Sequence, residues 1–337
     1  MNSFYPLKVS QIRALTTNAA ELKFEIPAEL KSKFNFKAGQ YITIKHQIEG
    51  KEVRRAYSIC SSIEEGISVG VKKVETGKMS SFLTTKIKEG DILEVMPPTG
   101  NFVLQGKNVV GICAGSGITP ILSMIKTILL NNDNSKFTLI YGNKTQDSTM
   151  FYSDIKQLNI NTHFVFSREK VEGAKEGRID RNMLDVFSDK ILSADAYFIC
   201  GPGEMIDTVS DFLTMKGIEK SKIHFERFTT TEKEETSKKQ TEEITSNVLV
   251  SIDGDDFEFT LSSNGKSILD AAMDAGADVP FSCKGAVCCT CKAKVMQGKA
   301  IMDKNFSLSD EEVAQGYILT CQSHPASENI VVDYDEM

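Results

Sequence analysis

Five of the eight cysteines in this 337-residue chain fall between positions 283 and 321. Four of them, Cys283, Cys288, Cys291 and Cys321, are spaced C-x4-C-x2-C and then, after 29 residues, C. Intervals this short force a tight loop around a small object. Three sulfurs come from the loop, and the fourth arrives from a distant segment to close the cage. Lys284, Gly285 and Ala286 give the loop small or flexible backbone, so its amides can point at the enclosed sulfurs. This is the spacing of four thiolates around a 2Fe-2S cluster. Zinc is the competing reading, but zinc sites usually pair two CxxC units or combine Cys with His, and here one CxxC has no second. Cys289 is surplus to the cage and reads as a small buried apolar side chain beside it.

The stretch "MNSFYPLKVSQIRAL" lacks the apolar core of a signal peptide. No segment approaches the roughly 18 apolar residues that span a bilayer. The expectation is a cytoplasmic chain with no membrane association, in a compartment where clustered cysteines serve as ligands or redox groups. A net charge of −7 also argues against a nucleic-acid partner.

Around the cysteines, residues 247–337 read as a strand, a turn at Asp253-Gly254, a second strand and a helix from about Ser267. Ile268, Leu269, Ala272 and Met273 fall on one helical face. Ser309, with Glu312 three residues on, has the form of a capping box. This segment holds 15 acidic residues against 6 lysines. An acidic carrier meeting a basic partner is one reading, and a merely well-solvated surface is the other. Before it, residues 229–246, "TTTEKEETSKKQTEEITS", contain a single apolar residue, Ile244. Such a stretch buries too little surface to order itself and reads as a linker that keeps two modules at high effective concentration.

Within residues 104–228, the stretch 109–129 reads "VVGICAGSGITPILSMIKTIL". A buried strand runs into a Gly-rich turn and then a helix from about Pro120, an arrangement that offers free N–H groups to phosphate. The third glycine of the usual dinucleotide fingerprint is missing, so an ordinary tight turn is the alternative. "KFTLIYGN", "NTHFVFS" and "AYFICGPGEMI" alternate with helical stretches, which points to a doubly wound parallel sheet with ligands at the carboxyl ends of its strands. Gly142, Ser167 and Cys200-Gly201-Pro202 fall at such ends. Residues 1–103 show short alternating runs between Gly-containing turns, the pattern of an antiparallel β-barrel. Arg55, Tyr57, Ser58 and Lys72 stand within it. A turn, Gly77–Ser81, leads into a short helix, Ser80–Lys86. Cation, ring and hydroxyl in one strand suit a flavin with its pyrophosphate. Taken alone, Arg55 fits a surface ion pair and Tyr57 a core ring.

Together these pieces resemble the ferredoxin–NADP reductase superfamily fused to a C-terminal plant-type ferredoxin. "RAYS" resembles its flavin-binding motif, "GKMSSFL" its FAD phosphate turn, "AGSGITP" its pyridine-nucleotide turn, and "CGP" the segment beside the nicotinamide. The resemblance implies a multi-domain chain: an antiparallel β-barrel FAD domain (1–103), a doubly wound α/β NAD(P) domain (104–228), the linker, and an α+β β-grasp 2Fe-2S ferredoxin domain (247–337). It implies a route from NADPH to FAD to the 2Fe-2S cluster, and on to a partner oxygenase. Domain order and "GAVCCTCK" are similar to the reductases of multicomponent oxygenases, the phenylacetyl-CoA epoxidase system among them.

By the same resemblance Arg55, Tyr57, Ser58, Lys72, Gly77, Met79 and Ser80 hold the flavin, and Gly115, Gly117, Thr119 and Gly201 shape the nucleotide site. Cys200 lies near the reacting carbon of the nicotinamide, and Ser58, Glu226 and Phe228 lie near the flavin ring. Ser167-Arg168 resembles a 2′-phosphate site and favours NADPH over NADH, since a guanidinium matches a phosphate. Arg178 joins it, or pairs with an acid. The alternatives are a reductase for a different oxygenase, an electron-carrier or sensor module without nucleotide turnover, and a zinc-stapled binding protein.

Overall fold

The computed structural model describes residues 3–131, 134–228 and 243–336. Two compact units divide the chain, one of them Ser3–Phe228. Most of the expected linker, residues 229–242, lies outside the described residues, and Thr245 already opens a strand.

In the first unit, six strands form an antiparallel sheet: β1 (Tyr5–Thr16), β2 (Ala19–Glu25), β3 (Tyr41–Ile48), β4 (Lys51–Ser58), β5 (Ser68–Lys72) and β6 (Ile92–Thr99). Their order is β4-β3-β6-β1-β2-β5. The two outer strands then meet. Ile59 bridges Val69, and the Cys60 N–H donates to the Ser68 carbonyl at 2.9 Å. That contact closes the sheet into a barrel and covers its edges. Alternation puts Leu7, Leu22, Ile42, Ile44, Val69 and Val95 inside. Helix α1 (Lys78–Thr85) closes one end with Met79 and Leu83, one turn apart on its inner face.

The second sheet of this unit is wholly parallel, in the order β10-β9-β8-β7-β11-β12. Its elements are β7 (Asn108–Ala114), α2 (Ile118–Asn131), β8 (Lys136–Asn143), α3 (Tyr152–Gln157), β9 (Asn161–Phe166), β10 (Lys175–Glu176), α4 (Arg181–Ile191), β11 (Ala196–Cys200), α5 (Gly203–Met215) and β12 (Ile223–Glu226). Strand β11 is buried at every position, as a strand covered on both faces must be. The chain leaves β7 for β8 on one side and later returns to β11 on the other. The strand order therefore reverses between β7 and β11, where open α/β sheets bind ligands. Helix α2 starts at Ile118, earlier than its apolar period suggests, because the turn Gly115–Gly117 winds straight into it. Pro120 sits in the first turn, where no N–H is required.

The C-terminal unit contains β13 (Thr245–Ile252), β14 (Asp255–Ser262), α6 (Ile268–Asp274), β15 (Lys292–Gln297), β16 (Ala300–Met302), α7 (Asp310–Ala314), β17 (Tyr317–Leu319), β18 (Ser323–Pro325) and β19 (Asn329–Asp333). Its main sheet runs β14-β13-β19-β15-β17, with β13 and β19 parallel and the remaining pairs antiparallel. The hairpin between β13 and β14 turns at Asp253 (φ 53°) and Gly254 (φ 83°), a left-handed pair that matches strand twist. The Asp335 carboxylate accepts both turn N–H groups, at 3.0 and 3.1 Å. Ser267 caps α6, and Ser309 with Glu312 forms the capping box on α7. Ile268, Leu269 and Ala272 are buried as their spacing indicates. Met273 is 37% exposed instead, at the margin of that face, where the Lys284 ammonium reaches its sulfur.

His224 stacks on Phe198 with ring centroids 5.0 Å apart. Burial lowers its pKa from the ordinary 6.5. An imidazole held below its unfolded value takes up a proton more readily in the unfolded chain, so its contribution to stability is intact above 6.5 and is lost as pH falls from there. Thermal melts of the flavin-loaded protein between about pH 8 and pH 5 should show the midpoint dropping on the acid side. His224→Phe, which keeps the stack and cannot titrate, should flatten that drop.

Candidate functional site

At the reversal point, two strand ends come as near as backbones allow. A β-carbon on Gly117 would stand 2.1 Å from the Cys200 carbonyl oxygen, so only glycine fits. Gly201 is close but less tight: its β-carbon would be 2.7 Å from the flexible end of Met205 and 3.2 Å from the Ala114 nitrogen. Gly115 takes a positive φ of 57°, and its carbonyl accepts the Tyr141 hydroxyl at 2.9 Å. Thr119 spends its hydroxyl on the Ser116 carbonyl, 3.0 Å away, which fixes the turn.

Three residues from separate elements meet beside this turn. In the parallel sheet Cys200 is the register partner of Glu226. From the barrel, the Ser58 hydroxyl donates to the Glu226 carboxylate at 3.1 Å. Burial, then Glu226 and Cys113, push the Cys200 thiol well above its ordinary range, so it stays protonated and neutral. Phe228 lies just beyond β12 and is 38% exposed.

Arg55 and Tyr57 extend from the same strand as Ser58. Arg55 is exposed, whereas its neighbour Arg54 is buried and paired with Glu52 at 2.7 Å. Burial raises the Tyr57 phenol far above its usual range, and Arg55 opposes it. At the head of α1, the Ser80 hydroxyl accepts the Val74 N–H (3.1 Å) and donates to the Gly77 carbonyl (3.3 Å). That side chain is committed to shaping the turn. The side chain of Met79 is in the barrel core. Gly77 has no space for a β-carbon, which would stand 2.5 Å from the Ser80 oxygen.

Lys72 comes from the barrel and lies over Gly115. Burial and the nearby Lys144 both lower its pKa. Lys144 carries no signal in the sequence, where it is one lysine after a strand. It follows β8, and its carbonyl accepts the Arg168 N–H at 2.9 Å. Ser167, Arg168 and Arg178 are exposed. The Asn143 amide nitrogen is buried at the end of β8 with no protein partner. A buried donor left over at a strand end, glycines that permit close approach and adjacent cations together fit a bound phosphate-bearing nucleotide.

In the C-terminal unit the four cage cysteines form two neighbouring pairs. The Cys288 thiol donates to Cys283, and together with the Gly285 and Val287 N–H groups it holds Cys283 below the ordinary thiol range. Cys291 does the same for Cys321, aided by the Ala286 N–H. The Gly285 N–H lies 3.2 Å from the Cys283 sulfur. The loop turns these donors inward through left-handed residues at Lys284 (φ 50°), Ala286 (φ 63°) and Cys289 (φ 50°). Among the described residues, no three Cys, His, Asp or Glu side chains are grouped for a single metal ion. The Ser282 hydroxyl is buried next to Cys283 with no protein partner. Converging sulfurs, inward N–H groups and a spare buried hydroxyl fit a cluster that carries its own sulfide acceptors. Cys289 faces away: its thiol donates to the Ser307 carbonyl at 3.1 Å, and burial pushes it up to about 12. Sequence reasoning missed the brace behind the loop. The buried Tyr334 hydroxyl donates to Thr320 at 2.7 Å, and Thr320 donates to the Cys291 carbonyl at 2.9 Å.

A barrel with a flavin-type strand, a parallel sheet with a nucleotide turn, and a four-cysteine loop define an NAD(P)H-dependent flavin and iron–sulfur oxidoreductase. Three family models match: the oxidoreductase FAD-binding domain over residues 6–104, the oxidoreductase NAD-binding domain over 112–211, and the 2Fe-2S iron-sulfur cluster binding domain over 250–326. The chain belongs to the family of reductase components that includes a subunit of the 1,2-phenylacetyl-CoA epoxidase of Escherichia coli (strain K12), to which it is 39% identical over 99% of both chains. It is 28% identical to the ferredoxin reductase component of 3-ketosteroid-9-alpha-monooxygenase from Rhodococcus rhodochrous, over 97% of this chain and 96% of that one.

Among solved structures, phthalate dioxygenase reductase matches with a TM-score of 0.62 and 26% identity over 98% of both chains. A type IV self-sufficient cytochrome P450 monooxygenase shares the fold (TM-score 0.76, 20% identity). The match covers 98% of this chain and 41% of that one.

Gly117→Ala should cut the rate of flavin reduction by NAD(P)H about tenfold or more, because a small displacement at the reacting centre is costly. Bound FAD should be retained, and stopped-flow at the flavin band reads both. Tyr334→Phe should remove about 1 kcal/mol from the C-terminal unit. Loss of the visible iron–sulfur absorbance in urea reports it.

Proposed function

We propose that this protein transfers electrons from NADPH through FAD and a 2Fe-2S cluster to the oxygenase component of a phenylacetyl-CoA epoxidase. The observation that carries the reading is the end-to-end 39% identity to a component of that system. When bound, FAD takes two electrons together from the nicotinamide and releases them singly, and the cluster carries one at a time.

The chain's own residues then have the following tasks. Arg55 and Tyr57 hold the flavin, and the amides around Gly77, Met79 and Ser80, with Lys72, face its phosphates. Gly115, Gly117, Thr119 and Gly201 seat the nucleotide. The neutral Cys200 thiol presents a dry surface to the nicotinamide. Ser58 and Glu226 form a hydrogen-bonded pair that can hold a proton beside the flavin. Phe228 covers the ring. Cys283, Cys288, Cys291 and Cys321 are the cluster ligands. Arg168, with Ser167, Lys144 and Arg178 near the same strand ends, supports NADPH over NADH. None of the eight cysteines is paired in a disulfide, which supports a reducing, cytoplasmic location. Among the described residues, no helix is long and apolar enough to cross a membrane.

The test is to reduce the purified protein with NADPH and then NADH under anaerobic conditions, and to supply candidate oxygenases. NADPH should bleach the flavin and cluster bands faster than NADH, and electrons should pass to a phenylacetyl-CoA epoxidase oxygenase component. Electrons passing only to an unrelated hydroxylase would replace the partner. Cys288→Ser should keep flavin reduction by NADPH while transfer to a one-electron protein acceptor collapses. Survival of both activities would overturn the order of carriers.

A further inference from the structure

One side chain that crosses the seam between the barrel and the parallel sheet, both within Ser3–Phe228, is not among the assigned site residues. Arg13 on β1 reaches α3, and its Nη1 donates to both Asp154 carboxylate oxygens, at 2.9 and 3.1 Å. Its Nε donates to Glu21 on β2, at 2.9 Å. The guanidinium also lies over the Phe151 ring, 5.7 Å from the centroid. Phe151 precedes α3 in a left-handed conformation, φ 57° and ψ 23°. A buried bulky ring rarely occupies that region, and it stays there only when its surroundings hold it.

What the ring touches gives the contact a consequence. Gly70 on β5 has no space for a β-carbon, which would lie 2.7 Å from a Thr119 methyl and 3.0 Å from the Phe151 ring. The nucleotide turn and the start of α3 therefore rest on the same bare step of a barrel strand. Two residues further along that strand is Lys72, the cation over Gly115. Helix α2 has its own anchors across the seam, Ser123 to the Ser61 carbonyl (2.7 Å) and Lys126 to Glu65 (2.9 Å). For α3, Arg13 supplies a hydrogen-bonded ion pair across the seam.

We infer that Arg13 is a positioning residue for hydride transfer. Through Asp154 and Phe151 it sets the register of the nucleotide turn on β5, and so the approach of the nicotinamide to the flavin. The inference rests on the reading that NAD(P)H is oxidised at the β7–β11 reversal point. Arg13 touches neither cofactor site directly.

The experiment is a double-mutant cycle of Arg13→Gln and Asp154→Asn in the full chain loaded with FAD and cluster. Each single variant should slow flavin reduction at saturating NADPH about tenfold, the scale expected for a sub-ångström to ångström misplacement. The long-wavelength absorbance of a nicotinamide stacked on flavin should weaken in parallel. FAD content and reduction by dithionite should stay unchanged, the melting temperature should fall by no more than a few degrees, and the double variant should be no slower than either single one. Arg13→Lys, which keeps the charge without the fork, should recover part of the rate.

Rates within about twofold of wild type in both single variants would overturn the inference, as would losses that multiply in the double variant. So would a fall in FAD content in step with the rate, which would mark Arg13 as a structural brace alone. Wild-type protein that accepted no electrons from either nucleotide would sink the functional reading along with this inference. Normal wild-type reduction with unaffected variants sinks this inference alone.

Discussion

The missing side chain at Gly117 lets the backbone of the nucleotide turn press on the end of β11, and the geometry around the reversal point follows from that contact. Strand register carries the consequence outward: Cys200, at the contact, lies opposite Glu226 on β12. Glu226 in turn receives the hydroxyl of Ser58, the last residue of the barrel strand that also bears Arg55 and Tyr57. One backbone approach thus links the strand assigned to the flavin with the turn assigned to the nucleotide. Had the turn stood off by the width of a methyl group, this alignment would be displaced by a distance that matters to hydride transfer.

Charge is used in opposite ways on the two sides of this unit. At the seam, cations are matched: Arg13 faces Glu21 and Asp154, and Lys126 faces Glu65. Such partly exposed pairs are each worth about 1 kcal/mol or less, so their use is geometric more than energetic. At the nucleotide turn, burial and then Lys144 oppose the charged state of Lys72. Two like charges in a half-buried place disfavour each other. The cluster loop takes a third course. It sets thiol donors from Cys288 and Cys291 and the N–H groups of Gly285, Val287 and Ala286 at the sulfurs, with the Gln322 amide at Cys321.

How much of this was legible in the sequence depended on the range of the interaction. The cysteine spacing, the Asp253-Gly254 hairpin and the Ser309–Glu312 cap are set by residues within a few positions of each other, and all can be read directly. Ser58, Cys200 and Glu226 lie far apart in the chain, and the family resemblance named them where no local pattern could. Helix starts at Lys78 and Ile118 were offset because turns wound into them without an apolar marker. Met79 and Thr119 sit on the expected motifs, yet their side chains serve the barrel core and the turn. Lys144, Arg13 and the Tyr334–Thr320 brace were invisible for one reason. Each is a common residue type whose partner comes from a strand or helix that only the fold brings near.

The cysteine loop shows why a cluster site needs a folded unit behind it. Left-handed backbone at Lys284, Ala286 and Cys289 costs on the order of 1 kcal/mol or more at each position. A free loop would relax out of it and turn its N–H groups away from the sulfurs. Here the loop is fixed at both ends and in the middle. Tyr334 and Thr320 hold the Cys291 carbonyl, and the Phe306 N–H and Ser307 hydroxyl hold the Ala286 carbonyl, at 3.2 and 3.1 Å. At the other end, Lys284 is pinned to Asp270 on α6 at 2.6 Å and lies over the Phe281 ring. Contacts from Asp270, Ser307, Thr320 and Tyr334 therefore hold the strained loop, so that its N–H groups stay turned toward the sulfurs.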